Sequence, residues 1–209
     1  MPLDPLPLLA RTPVIPVLTI DRVADAVPLA RALFAGGLPV IEVTLRTPAA
    51  LDAIRAIAAE APDVIVGAGT ITDAADVEAA VKAGSRYLVS PGTPATLADA
   101  FVSAGVPVVP GCSTVSEAMT LAARGFKVLK FFPAEACGGI AWLKSVGAPL
   151  PHLRFCPTGG IDGKNAAAYL SLPNVVAVGG SWVAPKDALA AGDFSRITQL
   201  ARDAAALRR

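Results

Sequence analysis

Short runs rich in Val, Ile and Leu alternate along the chain with alanine-rich stretches of helical length, and Gly, Pro, Asp or Thr stand at most of the joints. The rhythm repeats eight times. It predicts extended segments at 14–18, 40–45, 64–68, 87–89, 106–109, 128–131, 154–156 and 175–178. The helices expected to follow them lie at 22–35, 48–60, 73–83, 94–104, 115–124, 140–146, 162–170 and 195–207. Strand, helix, strand at this spacing means parallel pairing with crossover helices, and eight such units are the number that closes a barrel. The expectation is an α/β protein: one compact (β/α)8 TIM barrel over residues 1–209, with 1–12 as a segment preceding the first strand. In that architecture chemistry sits at the C-terminal ends of the strands and in the loops that follow them.

Side chains alternate along a strand, so in VIEVTLR the apolar set Ile41, Val43 and Leu45 shares one face, and Val40, Glu42, Thr44 and Arg46 share the other. If the apolar set faces the helices, Glu42 and Thr44 point inward and Arg46 stands at the mouth. This segment alone leaves Glu42 open between half of an ion pair with Arg46 and a group that moves protons. In KVLKFF the same alternation turns Val128, Lys130 and Phe132 inward, with Leu129 and Phe131 outward. An apolar surround disfavours an ammonium and should lower the pKa of Lys130 from about 10.4, giving an amine able to attack a carbonyl carbon. The competing reading is a lysine that snorkels to solvent or pairs with a carboxylate, which fits Lys127.

Glycines supply a third element. PTGGID (157–162) follows the seventh segment and GGSW (179–182) the eighth. Loops in these two places recurrently bind phosphate, because glycines let backbone N–H groups approach an anion. Thr158 and Ser181 place hydroxyls beside the pairs Gly159–Gly160 and Gly179–Gly180. Thr70, at the end of GAGT, contacts a substrate or caps the next helix, whereas Ser113 and Thr114 suit the cap of the helix bearing Glu117. The sole histidine, His152, falls before the seventh segment, at the opposite end from the site. No spaced set of His, Cys and carboxylates suggests a catalytic metal.

Composition narrows the classes. Of 209 residues, 54% are hydrophobic, enough for a substantial core, and 18 basic against 17 acidic residues leave a net charge of +1. There is no basic stripe for a nucleic acid or a membrane surface. Three widely spaced cysteines, Cys112, Cys137 and Cys156, fit a reducing, cytoplasmic setting. The start MPLDPLPLLARTP lacks a charged n-region, and no apolar run approaches the roughly 20 residues of a membrane span.

An inward lysine, an inward glutamate and two glycine loops, taken with EVTLRT (42–47), VGAGT (66–70), SPG (90–92), PGCSTVSE (110–117), KFFPAE (130–135), FCPTGGI (155–161) and GGSW (179–182), resemble the bacterial 2-keto-3-deoxy-6-phosphogluconate aldolases and the related 4-hydroxy-2-oxoglutarate aldolases. The motifs occur in that family's order over nearly the whole chain. KFFPAE with EVTLRT is specific, while GAGT and the GG pairs are shared with other phosphate-binding barrels.

The resemblance implies a cytoplasmic, metal-independent class I aldolase with no cofactor beyond a covalent Schiff base on Lys130. It would convert a phosphorylated keto acid to pyruvate and glyceraldehyde 3-phosphate in the Entner-Doudoroff pathway, and the family is typically trimeric. By the same resemblance Glu42 is the general acid/base, and Arg46, Thr70 and Arg11 hold the carboxylate end. Phe132 and Pro91 line the pocket, with Thr158 beside the phosphate group of Gly159, Gly160, Gly179, Gly180 and Ser181. Three rival readings remain. One keeps the chemistry with 4-hydroxy-2-oxoglutarate or the galactonate-derived epimer as substrate; another is a phosphate-binding isomerase or synthase in which Lys130 only pairs with Glu42. The third, against which both reactive side chains speak, is a non-catalytic binding protein on the same scaffold.

Overall fold

The computed structural model describes residues 2–207. Among these residues nine strands, all paired in parallel, form two sheets of order β5-β4-β3-β2-β1-β9 and β6-β7-β8. The strands are β1 (Val14–Leu18), β2 (Val40–Thr44), β3 (Ile65–Gly69), β4 (Leu88–Val89), β5 (Val108–Val109), β6 (Gly111–Cys112), β7 (Val128–Phe131), β8 (Arg154–Pro157) and β9 (Val178–Gly180). Each crossover carries a helix, as parallel pairing requires. These are α2 (Val23–Ala35), α3 (Ala50–Glu60), α4 (Ala74–Lys82), α5 (Ala95–Val102), α6 (Val115–Ala123), α7 (Gly139–Gly147) and α8 (Ala166–Leu170), preceded by α1 (Leu6–Leu9). Beyond β9 come α9 (Lys186–Ala191) and α10 (Phe194–Ala205).

Strand alternation sorts the apolar residues into two clusters. Ile41, Val43, Leu129 and Phe131 belong to the larger one, shared with the helices through residues such as Leu29, Leu33 and Ile54. Ile15, Val40, Ile65, Tyr87, Val109, Val128 and Cys156, from strands spread across both sheets, meet in the smaller. The sheet is therefore curled around its own interior, and Leu9 of α1 is buried in that cluster. Outside β7, Phe131 stacks on Trp142 of α7 at 4.2 Å, and Trp142 meets Phe155 of β8 edge-on at 5.4 Å. These aromatic contacts fix the strand that carries Lys130 from behind.

Four sequence expectations change. The fifth segment, expected at 106–109, is two short strands divided at Pro110: Val108 and Val109 pair with β4, while Gly111 and Cys112 pair with β7. Proline has no N–H to give a ladder, and its carbonyl accepts from Lys130 N at 2.9 Å. The eighth strand, expected at 175–178, runs Val178–Gly180, with Val175 contributing a lone bridge to Phe155. The helix expected from 162 starts only at Ala166. Before it, Asn165 Oδ1 accepts from Asp162 N at 2.9 Å and Asp162 Oδ1 from Lys164 N at 2.8 Å, local side-chain bonds that compete with helix formation. Finally, α1 and α9 are too short to show a 3.6-residue period and were not expected.

The cap read at Ser113–Thr114 is present. Thr114 Oγ1 accepts from Glu117 N at 3.2 Å while Glu117 accepts from Ser113 N at 2.8 Å and Thr114 N at 2.9 Å, a capping box that starts α6. Among the described residues, no helix is long and apolar enough to cross a membrane.

Tyr87 is the largest inward-facing side chain, fully buried, and its ring occupies the space above Gly67, where an added Cβ would lie 2.3 Å from Cε1. Its hydroxyl has no hydrogen-bond partner among the described residues. Burial, then the negative charge of Glu42, drives its acidity far down, so it stays a neutral, unmatched O–H. Tyr87→Phe is expected to stabilise the fold by about 1–3 kcal/mol, the cost of such a buried group. A higher urea midpoint at unchanged slope would show this; a lower one would mean that the hydroxyl is bonded to a buried water.

Candidate active site

Glu42 and Lys130 both point into the curled interior, as alternation requires. They are 3% and 4% exposed, and Lys130 Nζ donates to Glu42 Oε1 at 3.2 Å. The carboxylate has room because the next strand lacks side chains there: Glu42 is in register with Gly67, and a Cβ on Gly69 would fall 2.0 Å from Glu42 Oε1. GAGT thus serves the site by leaving space. Two charges buried together are stable only while they satisfy one another. Phe132 sets its ring 5.4 Å from Lys130 Nζ, forming one wall. Cys156 lies in register with Lys130 on β8, but burial pushes its thiol up to about 12 and keeps it protonated. Burial likewise pushes Cys112 up to about 12. Neither thiol is an activated nucleophile.

Arg46 pairs with the next strand end and not with Glu42: its Nε donates to Thr70 Oγ1 at 3.2 Å. Thr70 has φ +63°, the sole non-glycine residue at positive φ among those described. For a β-branched residue this conformation costs about 1–3 kcal/mol, and such strain concentrates at functional sites. Bonds on either side hold it, from Leu45 N to Gly69 O at 2.8 Å and from Ile71 N to Val89 O at 3.1 Å. Pro91 follows β4 and its carbonyl lies against Gly111. Beneath it the buried Ser90 Oγ accepts from Gly111 N at 3.0 Å and shares a hydrogen bond with Thr93 at 2.9 Å, tying the β4 and β6 ends together.

The two glycine pairs differ in kind. Gly159 and Gly160 adopt φ +100° and +77°, an irregular turn that side chains disfavour. Gly179 and Gly180, expected in a loop, are the last residues of β9 and pair with Ile15 and Pro16 of β1. There glycine is a matter of space: a Cβ would fall 2.3 Å from Thr158 Oγ1 at position 179 and 1.7 Å from the Trp182 ring at 180. A bridge between Thr158 and Gly179 joins both segments, with the exposed Ser181 next in the chain.

A model of the KDPG and KHG aldolase family matches residues 7–200. The chain belongs to this family. It is 54% identical over 194 residues to a 2-dehydro-3-deoxy-phosphogluconate aldolase of Pseudoalteromonas atlantica, covering 93% of this chain and 90% of that protein. The KHG/KDPG aldolase of Escherichia coli K12 is 49% identical over 197 residues, 94% of this chain and 92% of its own. Among solved structures, a KDPG aldolase of Legionella pneumophila holding pyruvate as a covalent carbinolamine superposes with a TM-score of 0.95 at 44% identity, over 97% of this chain and 98% of that one.

In this family member one expected site residue lies elsewhere. Arg11 is at the N-terminal ends of the strands, in a cleft with Arg86 and Pro107, which precede β4 and β5, and Ile65, which begins β3. A residue just before a parallel strand enters at that end, so Arg11 does not join Lys130 and Glu42. Ser90 and Thr93 had no signal beyond SPG itself, and Tyr87 none beyond its place in a strand.

Proposed function

We propose that this chain is a class I aldolase that cleaves 2-dehydro-3-deoxy-6-phospho-D-gluconate to pyruvate and D-glyceraldehyde 3-phosphate through a Schiff base on Lys130. The observation that carries the reading is the Lys130–Glu42 pair, buried at 3.2 Å beside the strand ends. Glu42 takes a proton from the ammonium, and the free amine adds to the C2 carbonyl. The same carboxyl returns a proton to the departing hydroxyl, water leaves and the iminium forms. Glu42 then removes the C4 hydroxyl proton, and the C3–C4 bond breaks with its electron pair passing into the iminium to give an enamine and the aldehyde. Protonation at C3 and hydrolysis release pyruvate and restore the amine. The iminium is the electron sink, so the cycle calls on no metal.

In this reading Arg46 and Thr70 hold the substrate carboxylate, Phe132 and Pro91 line the pocket, and Thr158, Gly159, Gly160, Gly179, Gly180 and Ser181 receive the phosphate. The fold reading is a single-domain (β/α)8 barrel, supported by the split at Pro110 and by the Phe155–Val175 and Thr158–Gly179 bridges between the two sheets. A cytoplasmic homotrimer in the Entner-Doudoroff pathway belongs to the same proposal. Exposed Val115 and Met119, one turn apart on α6, offer apolar surface for a subunit contact.

The substrate test is a comparison of kcat/KM for the phosphorylated gluconate-derived acid, its galactonate epimer and 4-hydroxy-2-oxoglutarate. The first is expected to be preferred, because a turn built for phosphate is left unfilled by the unphosphorylated acid. Preference for 4-hydroxy-2-oxoglutarate would transfer the assignment to that substrate.

A further inference from the structure

The loop that follows Lys130 is sewn to the Gly159–Gly160 turn. Thr158 N donates to Phe131 O at 2.9 Å, Ala134 N to Thr158 O at 2.8 Å and Glu135 N to Gly159 O at 3.1 Å, continuing the β7–β8 ladder past both strands. This places a carboxylate next to the turn. The stem of Glu135 covers Gly160, where a Cβ would fall 2.6 Å from Glu135 Cγ and 2.7 Å from Glu135 Cβ. The carboxylate itself turns onto α8, where Oε1 accepts from the Tyr169 hydroxyl. Space for that bond comes from Gly139, whose φ is +52° and where a Cβ would lie 2.8 Å from the Tyr169 oxygen and 3.3 Å from Glu135 Oε1.

Tyr169 is fully buried, so its ring cannot swing away from this geometry. Burial first, then the bond to Glu135, raises its pKa, and it remains an O–H donor. Glu135 differs, being exposed apart from this bond. Without the hydroxyl its carboxylate can rotate about the stem that lies over Gly160, toward the turn.

We infer that Tyr169 is a positioning residue which, through Glu135, keeps a negative charge off the anion-receiving turn at Gly159–Gly160. The inference rests on the proposed phosphate role of that turn. A like charge released beside a bound phosphate opposes it, and the penalty falls only on substrates that carry the phosphate. Neither residue touches the reacting atoms, so the bond-making steps are untouched.

The test uses Tyr169→Phe, which keeps the ring, and the double variant Tyr169→Phe with Glu135→Gln, which also removes the charge. Steady-state kinetics are measured on the phosphorylated gluconate-derived acid and on 4-hydroxy-2-oxoglutarate. The single variant is expected to raise KM for the phosphorylated substrate about tenfold, the effect of a like charge released beside the phosphate, with kcat and the KM for 4-hydroxy-2-oxoglutarate unchanged. The double variant is expected to recover the parental KM. An unchanged KM, an equal rise for both substrates or no recovery in the double variant would each overturn the inference. If the single variant fails to fold, Glu135→Ala in the parent decides: a tenfold rise in KM for the phosphorylated acid overturns the charge account, and a parental or lower KM upholds it. Should the unaltered enzyme show no preference for the phosphorylated acid, the phosphate reading fails at the outset, a result distinct from any response of the variants.

Discussion

Lys130→Ala is expected to lower aldol cleavage by at least about four orders of magnitude, because among the described residues Lys130 is the only buried amine that can form the covalent bond on which every later step depends. Lys127, the other lysine of this segment, immediately precedes β7, and alternation turns the two in opposite senses. The substitution also leaves Glu42 buried without its counter-ion, which costs about 3–5 kcal/mol of stability. Loss of turnover must therefore be separated from loss of fold. The double change Lys130→Met with Glu42→Gln removes both charges while keeping most of the volume, and it should stay folded and inactive. The direct measurement is borohydride reduction in the presence of pyruvate followed by mass spectrometry. A pyruvate-derived adduct is expected on Lys130 in the parent and nowhere in Lys130→Ala. Absence of the adduct from the parent, or full turnover in the variant, would return Lys130 to the role of a structural partner for Glu42.

Glu42→Gln should reduce turnover by about 10²–10⁴-fold, the usual contribution of a positioned acid/base. The amide oxygen can still accept from Lys130 Nζ at the position of Oε1, 3.2 Å away, so the geometry of the pair is preserved. Proton transfer is not, because an amide neither receives the ammonium proton nor takes that of the C4 hydroxyl. Two readouts separate this from a packing defect. The pyruvate adduct should still form on Lys130, but slowly, since carbinolamine formation uses the same carboxyl. KM should change far less than kcat, since Glu42 acts mainly on the transition states. Turnover within tenfold of the parent would mean that another group, or a bound water, carries the proton.

The parts of the fold visible from the residues alone are those governed by local periodicity. Alternation in VIEVT and VLKF turned Glu42 and Lys130 to one face, and the structure has both inside, with Ile41, Val43, Leu129 and Phe131 against the helices. Thr114 and Glu117 were legible as a cap because a capping box is complete within four residues. Periodicity also implied parallel strands. It did not reveal that the fifth strand divides at Pro110, because which neighbour each half joins is a question of pairing.

What local pattern could not decide is distance between remote segments. The Lys130–Glu42 bond spans 88 positions and the Tyr169–Glu135 bond 34, and both depend on register. Gly179 and Gly180 read as a loop because glycine signals turns, yet they are strand residues that yield space to Thr158 and Trp182. Arg11 was assigned to the site by the family resemblance. Its end of the strand, set by chain direction once the sheet curls, keeps it apart. By itself, then, the sequence determined which side chains face inward, where helices start and which family the chain resembles, since these follow from short-range sterics and recognisable motifs. Only the tertiary structure decided that one inward carboxylate meets one inward ammonium at 3.2 Å, since parallel pairing had to bring strands from distant parts of the chain into register first.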